Sequence, residues 1–245
     1  MRFIVRVALD ADTQSRLDAL TQKVAAHHAP KAEAERLWNQ KATGLFDTVR
    51  TTLEAMAAGR ARGMYCEDDR GTDIEHFYPK ALYPDRAFSW GNYLLACGHC
   101  NSNLKRERFP LDPVGQPALL DPTVDDPTAH LAFLPASGEF QPIGNKGAPS
   151  LEVFALNDRT PPRKLPQARR ETMVKLFDLL RAYDNCLATG DTEGAALRKD
   201  AICDEPFPAV LVWLLRVAQG PNAALVLAKT PDLPGLIARH GVASW

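Results

Sequence analysis

GMYCEDDRGTDIEHFYPKALYPDRAFSWGNYLLACGHCNSNLKRERFP, residues 63–110, is the stretch on which the reading of this chain turns. In order it carries Glu75-His76, Pro79-Lys80, Asn92 at the head of the strand-like run Tyr93-Leu94-Leu95-Ala96, and Cys97-x-x-Cys100 followed at once by Asn101. A Glu-His pair alone means little, and a Cys-x-x-Cys alone suits a redox pair as well as a zinc knuckle. Their joint order within one short stretch is informative.

These residue types match the needs of phosphodiester hydrolysis, which are a base for water, a cation for the charge growing on phosphate, and help for the leaving oxygen. His76 is the natural general base, because imidazole titrates near neutral pH. Glu75 offers a hard oxygen suited to Mg²⁺ or Mn²⁺. Asn101, at the start of a helix expected to run through Arg108, offers an amide oxygen as the second ligand. Lys105 lies one turn on, on the same face, placed to stabilise transition-state charge. Lys80, Arg106 and Arg108 are candidate nucleic-acid contacts. Neighbouring side chains of a regular strand point to opposite faces, so for Glu75 and His76 to address one phosphate the backbone there is expected to twist or bulge.

The pattern Ile74-Glu75-His76-Phe77, Pro79-Lys80, Trp90-x-Asn92-x-Leu94-Leu95-x-Cys97-x-x-Cys100-Asn101 resembles the HNH (ββα-metal) endonucleases. More narrowly it resembles the PtuB-like branch of Septu anti-phage systems and the retron-associated HNH proteins. The close match covers residues 63–110. Looser similarity extends through Leu119-Leu120-Asp121-Pro122, His130-Leu131-x-Phe133 and Leu156-Asn157-x-Arg159. The resemblance implies that Glu75 and Asn101 bind the catalytic metal, that His76 is the base, and that Asn92 holds the loop carrying the base. Family spacing before the lysine is often one residue shorter, which leaves Asn103 beside Asn101 and Arg106 beside Lys105 as alternatives. It further implies a DNA substrate, a role in defence against phage, and a PtuA-like ATPase partner.

Many HNH proteins brace this unit with zinc held by two Cys-x-x-Cys knuckles, and tetrahedral thiolate sites of that kind are stable. Cys97-Gly98-His99-Cys100 is an intact knuckle, whereas Gly63-Met64-Tyr65-Cys66 has glycine where the family usually has cysteine. Cys66, Cys97 and Cys100 therefore offer three thiolates to a structural zinc. Asp68, Asp69, Asp73, His99 or a water are the candidates for the fourth position. Cys186 and Cys203 are isolated and are expected to be small buried apolar residues.

Outward from the motif the chain is expected to be helical. Residues 12–29 carry Leu17, Leu20 and Val24 on one face, and Pro30 interrupts them. Residues 31–58 carry Trp38, Ala42, Leu45, Val49, Leu53 and Met56 at steps of three and four, the pattern of one long amphipathic helix. Phe3-Ile4-Val5-x-Val7 is strand-like. Beyond a Pro-rich loop, His130 to Phe133 and Glu139 to Pro142 flank Ala136-Ser137-Gly138 as a hairpin. Helices are expected over 169–187 and 207–217. Arg159, Arg163, Lys164, Arg169 and Arg170 form a basic cluster, read equally well as a phosphate-facing surface or as a solvated helix face.

The chain has 245 residues with 29 basic and 30 acidic side chains, so its whole charge is not that of a free-standing DNA binder. No apolar run reaches membrane-spanning length and the first residues lack the pattern of a signal peptide, so the expected address is the cytoplasm. The fold expected is α+β, mainly α-helical, with a central ββα-metal module and a small β-hairpin. The expected division is a helical region at 1–60, the HNH module at 61–112, and loop, hairpin and helices at 113–245. The rival reading is a non-catalytic zinc-braced module that binds nucleic acid or protein.

Overall fold

The apolar run after Asn92 and the short run around Ile74 find each other. In the computed structural model, which describes residues 1–40 and 42–242, β1 (Asp73–His76) pairs antiparallel with β2 (Tyr93–Ala96), with Asp73 opposite Ala96 and His76 opposite Tyr93. Every residue of β2 is buried. The far edge of β2 is also covered, since the Met64 N–H donates to the Leu95 carbonyl at 2.8 Å. Such burial on both sides explains why Tyr93 to Ala96 reads as a continuous apolar run rather than an alternating one.

The N-terminal segment wraps this sheet with helices. Asp10 caps α1 (Ala11–Ala26) by accepting from the Thr13 backbone N–H. Pro30 does more than interrupt: it takes the first position of α2 (Pro30–Asn39), where a missing N–H costs nothing. The single helix expected over 31–58 is in fact α2 followed by α3 (Thr43–Met56). Ala42 adopts extended backbone as the N-cap of α3. Lys41 lies outside the described residues. The steps of three and four run straight through the break, so periodicity alone does not reveal it. The break lets α2 turn Trp38 toward β1 while α3 buries Leu45, Phe46, Val49, Leu53 and Met56. Phe3 to Val7 form no strand; the Ile4 N–H donates to the Pro122 carbonyl, and the Arg6 guanidinium reaches the carbonyls of Trp90 and Tyr93.

The expected hairpin is present as β3 (Leu131–Leu134) paired with β4 (Glu139–Pro142). After α4 (Gly147–Val153) come α5 (Leu165–Ala188), α6 (Thr192–Asp204) and α7 (Pro208–Gln219). Two shorter helices, Ala223–Val226 and Leu233–Arg239, complete the described chain. Buried residues from Met1 to Val242 form one hydrophobic cluster, so the polar motif sits inside a shared core. The architecture is thus α+β, rich in helix, with two small antiparallel sheets. No helix among the described residues is long and apolar enough to cross a membrane.

Candidate active site and thiolate cluster

Because β1 is regular, its side chains alternate. The pairing continues without a bulge, and the Phe77 N–H donates to the Asn92 carbonyl at 2.9 Å. The irregular backbone expected at Glu75-His76 is therefore absent, and the two residues face opposite sides of the ribbon. The irregularity falls after β2 instead. His99–Lys105 wind as a π-helical turn that stops short of the helix expected through Arg108, and Arg106 ends it at φ 48°. Such wider turns concentrate at functional sites.

On one side, Glu75 is 3% exposed and Lys105 is 0% exposed. The Lys105 Nζ lies 2.5 Å from Glu75 Oε1 and donates to the His76 carbonyl at 2.8 Å. Lys105 is thus an internal counter-charge to Glu75 rather than a solvent-facing cation. Burial pushes the Glu75 carboxyl above its ordinary value, with Lys105 opposing that shift. Although the ammonium is close, its direction leaves Oε1 without a well-aligned hydrogen bond. Asn101 sits on the same turn as Lys105, and its Nδ2 donates to Asp73 Oδ2 at 2.9 Å. With the amide nitrogen so engaged, the amide oxygen of Asn101 is the end left to act as a ligand. A carboxylate and an amide oxygen are hard donors that fit Mg²⁺ or Mn²⁺.

On the other side, His76 is 7% exposed, and its Nε2 lies 2.9 Å from the Ala87 carbonyl. A carbonyl only accepts, so Nε2 carries the proton and Nδ1 is the basic nitrogen of the neutral ring. The Tyr93 hydroxyl donates to the same carbonyl at 2.8 Å. Trp38 packs edge-on against the His76 ring, with centroids 4.4 Å apart. Asn92 binds the connecting loop at three points: its Oδ1 accepts from the Tyr78 N–H, and its Nδ2 donates to the carbonyls of Tyr78 and Arg86. Arg86 immediately precedes Ala87, so Asn92 ties down the loop residue next to the one whose carbonyl meets His76.

The other candidates are spread around this unit. Lys80 lies over the Trp38 ring, Arg106 donates to the Ser102 carbonyl, and Arg108 pairs with Glu152 at 2.7 Å. Tyr78, Tyr83, Phe77 and Phe109 form an aromatic cluster, and Phe88 and Trp90 are buried, in line with packing roles.

Cys66, Cys97 and Cys100 converge, with all three sulfurs within 4.8 Å of one another. Cys66 and Cys97 sulfurs are 3.7 Å apart. Hydrogen bonds from Cys100 and then Cys97 hold the Cys66 thiol well below its ordinary value. Three buried sulfurs at this separation are a soft donor set that fits zinc. Among the described residues no other His, Cys, Asp or Glu joins them. Asp73 is engaged by Asn101 and Thr72, and His99 by Asn103. Burial, followed by Cys66, pushes the Asp68 carboxyl up to about 6. A side chain at Gly63 would meet the Cys97 backbone nitrogen at 2.9 Å, so this position has closed where a fourth sulfur would start. Arg163 Nη2 lies 4.0 Å from Cys100 Sγ and brings positive charge to the cluster. Of the isolated cysteines, Cys186 is buried as expected, but Cys203 is exposed at the end of α6.

Sequence reasoning missed Trp38 as the ring over His76, Asp73 as the partner of Asn101, the Ala87 carbonyl, and the place of Arg163, singled out only as part of a basic cluster, beside Cys100. Trp38 had a signal as the one aromatic residue of α2. A backbone carbonyl has none.

A buried Glu-Lys pair, an oriented histidine and a three-cysteine knuckle, carried on a short ribbon and a helical turn, define a polar site of the metal-binding kind. The chain is similar to the Septu protein PtuB of Bacillus mycoides (strain KBAB4), at 29% identity over 164 residues, 55% of each chain. It is also similar to the Septu protein PtuB of Bacillus thuringiensis, at 30% identity over 137 residues, 52% of this chain and 51% of that one. The chain spans about half the length of the curated relatives it matches. No protein-family profile matches it.

Proposed function

We propose that this chain is a metal-dependent endonuclease of the HNH kind that hydrolyses phosphodiester bonds in DNA, and that it serves a Septu-like anti-phage defence system with a PtuA-like ATPase partner. The observation that carries the reading is the seating of His76: one ring nitrogen is fixed by the Ala87 carbonyl, in a loop that Asn92 ties down at neighbouring Arg86, and Nδ1 is assigned as the base. In this reading Nδ1 takes a proton from the attacking water, while the Ala87 carbonyl stabilises the imidazolium that results. Glu75 and Asn101 are the residues that would hold Mg²⁺ or Mn²⁺, which supplies charge stabilisation at the phosphate when bound; because Glu75 and His76 face opposite sides of β1, this reading requires the ribbon to twist at that pair for both to act on one phosphate. Lys105 is the buried counter-charge beside Glu75 and opposes the upward push of burial on its carboxyl. Cys66, Cys97 and Cys100 are the residues that would hold zinc, which would brace the turn that carries Asn101.

Nicking of supercoiled plasmid by wild type and His76→Ala, with Mn²⁺ or Mg²⁺ and with EDTA, tests this. Wild type is expected to cut only with divalent metal, and the folded variant to lose about 10²–10⁴-fold. Equal cutting by both removes His76 from the role. Zinc content on the same preparations should fall in Cys97→Ser.

The second reading, a zinc-braced binding module without catalysis, draws on the closure of the site. Glu75 is sealed by Lys105 and His76 lies under Trp38. If neither protein cuts, even with the ATPase partner present, this reading stands.

A further inference from the structure

A large cavity lies away from β1 and β2. It has a volume of about 1110 Å³ and runs between the turn of the β3–β4 hairpin and α5. Arg159, Lys164, Arg170, Lys175 and Lys229 line it, against one acidic residue, Glu171. In a chain whose charges otherwise nearly cancel, this is a local excess of positive charge. Arg159 is paired with Glu139 at 2.6 Å and Lys175 with Glu205 at 3.8 Å. Lys164, Arg170 and Lys229 have no acidic partner within salt-bridge distance among the described residues.

The wall of the groove is preformed. Gly138 in the hairpin turn has φ +76°, and a side chain there would meet the Pro166 carbonyl oxygen at 1.9 Å. Beneath it, buried Arg169 donates to the Gly138 and Leu156 carbonyls. Arg169 therefore leaves the basic surface suggested by sequence and becomes the tie that holds hairpin to helix.

We propose that this groove binds the sugar-phosphate backbone of a nucleic acid strand. Two observations favour a polyphosphate strand over an acidic protein segment. The unpaired cations come from different elements, Lys164 and Arg170 from the first half of α5 and its cap and Lys229 from the segment after Val226, so positive charge is distributed over the groove as a row of phosphates requires. The Lys164 end also adjoins the candidate active site: neighbouring Arg163 reaches Cys100, and Cys100 is followed by Asn101. A strand seated in the groove is thereby led toward Asn101. This inference rests on the nuclease reading for its purpose, and its test is independent of cleavage.

The test is binding of a fluorescein-labelled 30-nucleotide DNA, single-stranded and duplex, measured by anisotropy in EDTA over a series of salt concentrations. Wild type is compared with Lys164→Glu/Arg170→Glu/Lys229→Glu, its fold checked by circular dichroism. Should that variant unfold, the three glutamine substitutions take its place. At least a tenfold loss of affinity is expected, with the salt slope reduced by about 2–3, roughly one per phosphate contact. Unchanged binding, or no binding by wild type, overturns the proposal, as does a poly-glutamate peptide that binds the groove more tightly than DNA. Wild type that binds DNA yet never nicks plasmid with metal sinks the nuclease reading and leaves the groove assignment standing.

Discussion

The two small sheets are built to different ends. Both have two antiparallel strands of four residues. In β3 and β4 burial alternates, with Phe133 and Phe140 inward and Leu134 and Gln141 outward, as an amphipathic hairpin requires. In β1 and β2 almost every position is buried, including a glutamate and a histidine. The hairpin is held by apolar contact. The site sheet contains ionisable groups that packing alone would reject, and each is retained by a dedicated partner: Lys105 for Glu75, and the Ala87 carbonyl for His76.

This contrast is sharpest at Lys105. Lys105→Met leaves Glu75 buried without its counter-charge and is expected to cost about 3–5 kcal/mol in urea unfolding. Replacing both charges, with Glu75→Gln added, should recover most of that loss; a single variant within about 0.5 kcal/mol of wild type would show that the pair is not sealed in the core. In the hairpin the equivalent experiment is Phe133→Ala, which removes a ring packed on Phe140 and Trp213. A cost of about 3 kcal/mol is expected there, with metal-dependent nicking per folded molecule unchanged. Impaired nicking in that variant would join two sheets that the contrast separates.

Asn92→Ala should cost less, about 1–3 kcal/mol, because the backbone groups it satisfies lie in a part-buried loop. It should nevertheless lower nicking more than Phe133→Ala does, since the lost bonds tie down the loop whose Ala87 carbonyl meets His76. The smallest effect concerns pH. Burial raises the folded value of Glu75 above 4.5, so the unfolded state releases its proton first. The corresponding stability is present below that value and declines as pH rises through the raised one, by at most about 1.4 kcal/mol per pH unit. Glu75→Gln should flatten this dependence. A slope of the opposite sign would mean that the attraction of Lys105 exceeds the cost of burial.

What sequence made legible follows the same division. The hairpin, α5 and α7 were readable because alternation and helical period report directly on burial. Glu75, His76, Asn92, Asn101 and the three cysteines could be singled out because their order is chemically unusual. What escaped was the geometry made by backbone. A regular β1 that separates Glu75 from His76, a π-helical turn that stops short of Arg108, and the break between α2 and α3 depend on tertiary packing, and leave apolar periodicity unaltered. Lys105 shows the limit: its residue type suggested a cation offered to phosphate, while its burial makes it a partner to Glu75.

Gly63 has a further consequence, for how this chain can change. The Cys97 backbone nitrogen stands where a β-carbon at position 63 would be crowded. A cysteine at position 63 would therefore push on the backbone of the intact knuckle, and Gly63→Cys would have to shift Cys97, itself one of the three thiolates, in order to add a fourth.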